Sequence, residues 1–501
     1  MNTLQKIIAL VFVCCFLLTS VYAAEGENTM DAVTEIVQTA KGAVEGYSVT
    51  GRNGTTVHCY NGIPYAEAPV GDLRWKNAVE KEPWDGVLDC TADVTELNSN
   101  YQWGNMLLDY FLTLNQSEDC LLVNVRTPAE TTDDKLPVMV WFHGGGLFGG
   151  SGSEEVYNRT DLPEEGVVLV TVTMRLGGFG ILPADVLGSE KGSEESGNYI
   201  ISDMLMALNW VQENIEAFGG DPANVTIDGE SGGASKVTAL LCAPQAEGLF
   251  TKAILQSGFA SSMSYEDALA AGNSLMEALG VTTAEEARAV PAEEVLAAYN
   301  ELGLDMGFIV DDYYLSGDPL ALIEAGEYTA CPVLLGVNEG EIPNIGAGDL
   351  PGYPTLLNAS TAAGFDCYAY EFDQVPGEWK DLGFHAVHSL DLAYMFGERV
   401  NEDRFYNGGP WEQQFFFWGA GETLDQFEDF TEPAMDEVDI ALSDMMIAMW
   451  ANFIRSGDPS TEDFQWTPWT AENEDYIHLT AMNGNTTQMK TGYTQLWSAE
   501  E

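Results

Sequence analysis

The stretch that most constrains this chain lies between residues 225 and 241. Val225-Thr226-Ile227 is a β-favouring run, Gly229-Glu230-Ser231-Gly232-Gly233 follows it, and residues 234 to 241 suit a helix. Strand, tight turn and helix in that order make a nucleophile elbow. The turn forces strained angles on its central residue and brings strand and helix so close that a side chain at 229 or 233 collides. Ser231 then stands at the tip with its hydroxyl exposed over a helix N-terminus, and the Gly232 N–H faces a developing oxyanion.

A serine hydroxyl needs a base, and the base needs an orienting acid. Of five histidines, His143 belongs to a glycine-rich turn, and His58 and His478 lie on strand-like segments. His385 and His388 remain as bases. The order nucleophile, acid, histidine places the acid between 231 and 385, just past a core strand. Glu339 and Glu341 both follow the apolar run 332 to 337 directly. Further oxyanion donors are expected from His143-Gly144-Gly145-Gly146, at the end of the buried run 136 to 142, because there the backbone itself must face the substrate.

The rest of the chain supplies the frame. Residues 42 to 47 and 55 to 60 read as an antiparallel hairpin turning at Asn53-Gly54. Strands are expected at 121 to 125, 136 to 142, 167 to 173, 225 to 227, 252 to 256, 332 to 337 and 366 to 372. Residues 199 to 218 have helical spacing, 264 to 305 read as two or three helices, and 435 to 454 as a core-facing helix. The alternation predicts an α/β fold: a mostly parallel central sheet covered by helices, with a small N-terminal antiparallel hairpin. A single domain is expected over residues 25 to 501.

Residues 1 to 24 read as a signal peptide, with Lys6, an apolar run from 7 to 18 too short to span a membrane, and Val21-Tyr22-Ala23 as a cleavage site. The expected location is secreted or periplasmic. With 79 acidic against 19 basic residues the formal net charge is −60, which argues against nucleic acid and anionic membranes as partners. It also favours neutral or cationic substrates over anionic ones. Cys90 and Cys120 could close a surface loop, while Cys59, Cys242, Cys331 and Cys367 read as buried thiols. No cysteine–histidine cluster has metal-ligand spacing.

Taken together, the motifs resemble the type-B carboxylesterase family, which also holds the cholinesterases. The matching segments are Tyr60-Asn-Gly-Ile-Pro-Tyr-Ala-Glu-Ala-Pro-Val-Gly71, Ser117-Glu-Asp-Cys-Leu-Leu-Val-Asn-Val125, Val140-Trp-Phe-His-Gly-Gly-Gly146, residues 210 to 226 with the elbow, and Asn452-Phe-Ile-Arg-Ser-Gly-Asp-Pro459. The resemblance implies an α/β-hydrolase fold and a serine carboxylesterase acting on small-molecule esters with no cofactor or metal. It singles out Glu341 over Glu339, through Gly336-Val-Asn338-Glu-Gly-Glu341, and His388 over His385, by counting back from Gly397. It further implies oxyanion donors at Gly145, Gly146 and Gly232, supporting residues at Glu230 and Ser257, and a Cys90–Cys120 disulfide.

Three departures stand out. Gly232 replaces the family's usual alanine, which keeps the N–H but predicts a looser backbone. Ile200 stands where the family has a glycine. The segment between Glu341 and His388 is much shorter than usual, which predicts a more open site than a cholinesterase gorge. The alternative, a binding module on the same fold, is disfavoured because Ser231, Glu341 and His388 are all present.

Overall fold

A computed structural model of the chain describes residues 36–101, 115–341, 352–375, 385–386, 388–397, 435–481 and 486–497. The expected signal peptide lies outside the described residues, as do residues 102–114 of the loop between Cys90 and Cys120.

One sheet of 11 strands runs through the protein. In chain order these are β1 (Tyr47–Thr50), β2 (Thr56–Pro64), β3 (Leu122–Thr127), β4 (Leu136–Phe142), β5 (Val168–Val172), β6 (Gly220–Glu230), β7 (Lys252–Gln256), β8 (Val333–Asn338), β9 (Tyr368–Phe372), β10 (Tyr476–Leu479) and β11 (Gln488–Lys490). Across the sheet the order is β11-β10-β9-β8-β7-β6-β4-β5-β3-β2-β1. Every pairing from β10 to β5 is parallel. The flanks, β10 with β11 and β5 through β3 and β2 to β1, are antiparallel.

The central strands are apolar on both faces because helices cover both. In β4, Val138, Val140 and Phe142 enter one core, while Met139 and Trp141 enter the other. The first core is closed by α1 (Tyr199–Asn214) and α2 (Gly232–Cys242), the second by α3 (Leu390–Met395) and α4 (Glu437–Ser456). Helix α4 starts at a capping box of Asp436 and Asp439 and stops at Gly457, whose φ is +83°. Its Met446, Met449, Trp450 and Phe453 are buried, and each such side chain contributes on the order of 2 kcal/mol. The Trp450 ring meets Tyr370 of β9 edge-on, with centroids 5.2 Å apart.

Two features differ from expectation. Residues 42 to 47 are not one hairpin strand. Ala43–Glu45 joins Ile36–Gln38 and Val87–Asp89 in a separate three-stranded sheet, and only β1 pairs with β2. The chain changes sheets at Gly46, where a Cβ would lie 2.4 Å from the Cys59 carbonyl oxygen. Alternation with period two reports that a segment is a strand, not which neighbour it chooses.

The second concerns the cysteines. Cys90 and Cys120 are both free thiols, so the expected bridge is not formed in this structure. Both are completely buried in the apolar core. Burial pushes the Cys90 thiol up to about 12 and raises that of Cys120 well above its ordinary value. Cys59, Cys242, Cys331 and Cys367 are buried free thiols. Among the described residues, no helix is long and apolar enough to cross a membrane.

Candidate active site

The site forms where three parallel strands end. Strand β6 runs into Ser231, β4 into the glycine loop at 143 to 146, and β8 into a single 3-10 turn, Glu339–Glu341. Loops at the carboxyl edge of a parallel sheet are where such folds assemble chemistry.

Ser231 has φ 55° and ψ −120°, an unfavourable backbone for a residue with a Cβ. Its N–H donates to the Gln256 carbonyl of β7 at 2.8 Å, which ties the turn to the sheet. Both flanking glycines are required. A Cβ on Gly229 would lie 2.4 Å from the Gly233 carbonyl carbon, and one on Gly233 only 2.0 Å from the Phe142 oxygen.

Gly232 lies directly against the glycine loop. A Cβ there would come within 2.1 Å of the Gly146 oxygen, so the glycine loop occupies the space an alanine methyl would need. The loop itself is ordered by its carbonyls. His143 is fully buried, and burial together with Lys236 holds its ring well below the ordinary imidazole pKa. Neutral, it donates from Nδ1 to the Gly144 oxygen at 2.8 Å. The Gly145 oxygen accepts from the Gly149 N–H at 2.9 Å. In a trans peptide C=O and N–H point opposite ways. Capturing the carbonyls of Gly144 and Gly145 therefore turns the N–H groups of Gly145 and Gly146 away from those partners. The positive φ values of Gly145 (81°) and Gly146 (63°) suit glycine.

The two open choices of acid and histidine resolve into two pairs. His388 Nδ1 lies 2.9 Å from Glu341 Oε1, with Glu341 buried and the His388 side chain 22% exposed. His385 Nδ1 lies 2.8 Å from Glu339 Oε2, but both are substantially exposed. It is His388 that reaches the elbow, its Nε2 standing 3.3 Å from Oε1 of Glu230, the residue before Ser231. Glu230 also accepts from Ser389 Oγ at 2.6 Å. Ser257 is buried with φ 52°.

Charge in this cluster is tightly shared. Burial pushes Glu230 up to about 7, against the pull of His388. Burial also raises Glu341, again opposed by His388. For His388 burial works the other way, but Glu230 and Glu341 outweigh it and hold the imidazolium well above its ordinary pKa.

Two residues here carry no motif. Asp391 of α3 is fully buried and accepts from Gln256 Nε2 at 3.1 Å, Asn338 Nδ2 at 3.2 Å and Tyr370 OH at 2.8 Å, which pins the helix after His388 to three strands. The one signal for it was a charge in the otherwise apolar run 390 to 396. Lys236 of α2 is the other, a lone cation in a helix of small and apolar residues. Among the described residues no group of three or more potential metal ligands gathers.

A strained serine at a strand–helix elbow, a buried carboxylate–imidazole pair and a glycine loop at one sheet edge define a serine hydrolase of the α/β-hydrolase class. The Carboxylesterase family model matches residues 33–353 and 350–497, and the chain belongs to that family. It is 33% identical over 479 residues to a para-nitrobenzyl esterase of Bacillus subtilis, covering 89% of this chain and 94% of that protein. It is 29% identical over 563 residues to mouse carboxylesterase 3B, covering 98% of this chain and 94% of that protein. A solved thermophilic pNB esterase superposes with a TM-score of 0.73 at 28% identity, covering 92% of this chain and 99% of that one. The protein is accordingly a carboxylic-ester hydrolase.

Proposed function

We propose that the protein hydrolyses neutral carboxylic esters through an acyl-enzyme on Ser231. Ser231 Oγ attacks the ester carbonyl while His388 Nε2 takes its proton, and Glu341 holds the ring through Nδ1. The N–H groups of Gly145, Gly146 and Gly232 stabilise the tetrahedral oxyanion. His388 then protonates the departing alcohol, and water repeats the sequence on the acyl group to release the acid and restore Ser231. The observation that carries this reading is the meeting of His388 Nε2 with the elbow at Glu230 while Nδ1 is held by buried Glu341.

The partial exposure of His388 and the short segment from 342 to 387 support a relatively open site. Phe148, Leu176, Phe179, Leu296 and Tyr299 line a small apolar recess. The net charge of −60 supports a preference for neutral or cationic over anionic esters, and the N-terminal apolar run supports export.

The test is hydrolysis of p-nitrophenyl esters from acetate to octanoate by wild type and Ser231→Ala, with a carboxylate-bearing ester of matched size at low salt. Turnover that Ser231→Ala loses, weaker on the anionic ester, is expected. Turnover retained by the variant would overturn the mechanism, and equal kcat/KM on the matched pair would overturn the charge preference.

A further inference from the structure

Lys236 lies on the first turns of α2, five residues after Ser231, and is completely buried. Its Nζ donates to the carbonyl oxygen of His143 at 2.7 Å and to that of Gly146 at 3.1 Å. These two carbonyls bracket the glycine loop. Those between them, on Gly144 and Gly145, are held by the His143 ring and the Gly149 N–H. All four peptide carbonyls from 143 to 146 thus have a donor, and two of the four depend on one side chain.

We propose that Lys236 is a positioning residue for the oxyanion loop, fixing the peptide planes at both ends of it so that the Gly145 and Gly146 N–H groups stay aimed at the reacting carbonyl. The proposal rests on the reading of those groups as oxyanion donors. Gly232 is the other half of the device. Lacking a Cβ, it lets the Gly146 oxygen approach α2 closely, within reach of the Lys236 amine. A donor misplaced by about 1 Å costs on the order of a hundredfold in rate, so a loop of glycines, soft by nature, needs such an anchor.

The charge on Lys236 is not what the clamp requires. Burial pushes its pKa down to about 7, while the buried carboxyls Glu154 and Glu230 pull it back up. A neutral amine still carries two N–H donors, enough for both carbonyls. This separates a hydrogen-bonding clamp from a purely electrostatic role.

The experiment compares Lys236→Met, which keeps the length without donors, with Lys236→Gln, which keeps two N–H donors without a charge. Each is assayed on a neutral p-nitrophenyl ester and for inhibition by a trifluoromethyl ketone that forms a tetrahedral adduct. Rates are expressed per site titrated to completion with an aryl organophosphate, so misfolded protein is not counted.

Lys236→Met is expected to lose about a hundredfold in kcat, comparable to deleting an oxyanion donor. KM should change little, and ketone affinity should fall in parallel. Lys236→Gln should recover a large part of both. Per-site kcat of Lys236→Met within about threefold of wild type, or a loss not mirrored in ketone affinity, would overturn the proposal. Should Lys236→Met yield no titratable sites, Lys236→Gln decides alone: near-wild-type kcat and ketone affinity support the clamp, and loss of both overturns it. Failure of the wider mechanism would show separately, as Ser231→Ala retaining turnover.

Discussion

Glu341 and His388 meet at 2.9 Å beneath the site, while two residues from Glu341 the exposed Glu339 makes its own 2.8 Å contact with His385. The paired arrangement makes a clean comparison. Glu341→Gln leaves an amide that can donate to Nδ1, which stabilises the wrong imidazole tautomer and lowers kcat by roughly 10³ to 10⁴. Glu339→Gln should change kcat by less than about threefold, since an exposed pair contributes little. Steady-state kinetics on folded variants check both, and comparable losses would show the acid to be misassigned.

Glu230 should set the acid limb of the pH–rate profile. Its carboxylate lies 3.3 Å from His388 Nε2 and helps hold the imidazolium form. Removing that charge in Glu230→Gln lowers the His388 pKa, so the free base appears at lower pH. The acid limb of kcat/KM should move down by about one pH unit. A limb that stays or moves up contradicts the described geometry.

The family-typical residue at 232 should be harmful here. In Gly232→Ala the new methyl would sit 2.1 Å from the Gly146 oxygen, so the glycine loop must retreat. A fall in kcat of about ten- to a hundredfold is expected, with KM nearly unchanged. Unaltered kcat would mean that the loop does not rest on α2 during turnover.

A second histidine links stability to pH. His478 of β10 is buried between Glu371 at 2.7 Å and Asp373 at 3.4 Å. Burial works against its charge, but the hydrogen bonds to Asp373 and Glu371 outweigh it and raise the pKa. Its contribution is therefore complete below the unfolded value of about 6.5 and fades as pH rises through the folded pKa. His478→Gln should cost roughly 2 kcal/mol at low pH, with a gap in Tm from wild type that narrows in alkali. A gap that is constant, or wider in alkali, contradicts this.

Much of the fold was legible because its signals are local. The run 136 to 142 reads as a strand buried on both faces, and β4 splits its side chains between two cores. The elbow was legible because its pattern occupies five consecutive residues, although the atom that forbids a side chain on Gly233 is the Phe142 oxygen of another strand. Chain order alone left Glu339 and Glu341 open, and only the family pattern Gly336-Val-Asn338-Glu-Gly-Glu341 favoured the second. Both follow β8, and only the placement of the distant 385 to 388 segment pairs each with a histidine. Lys236 and Asp391 escaped notice because their partners are backbone carbonyls and side chains more than 20 residues away, which no spacing rule reports.

The central claim is that Ser231 is the nucleophile and carries the acyl group. The most direct measurement is peptide mapping by mass spectrometry after reaction with an aryl organophosphate, which leaves its phosphoryl group on the attacking oxygen. One adduct on the peptide containing Ser231, formed as esterase activity disappears and absent from Ser231→Ala, is the predicted result. An adduct on another residue, or inactivation without one at Ser231, would contradict it.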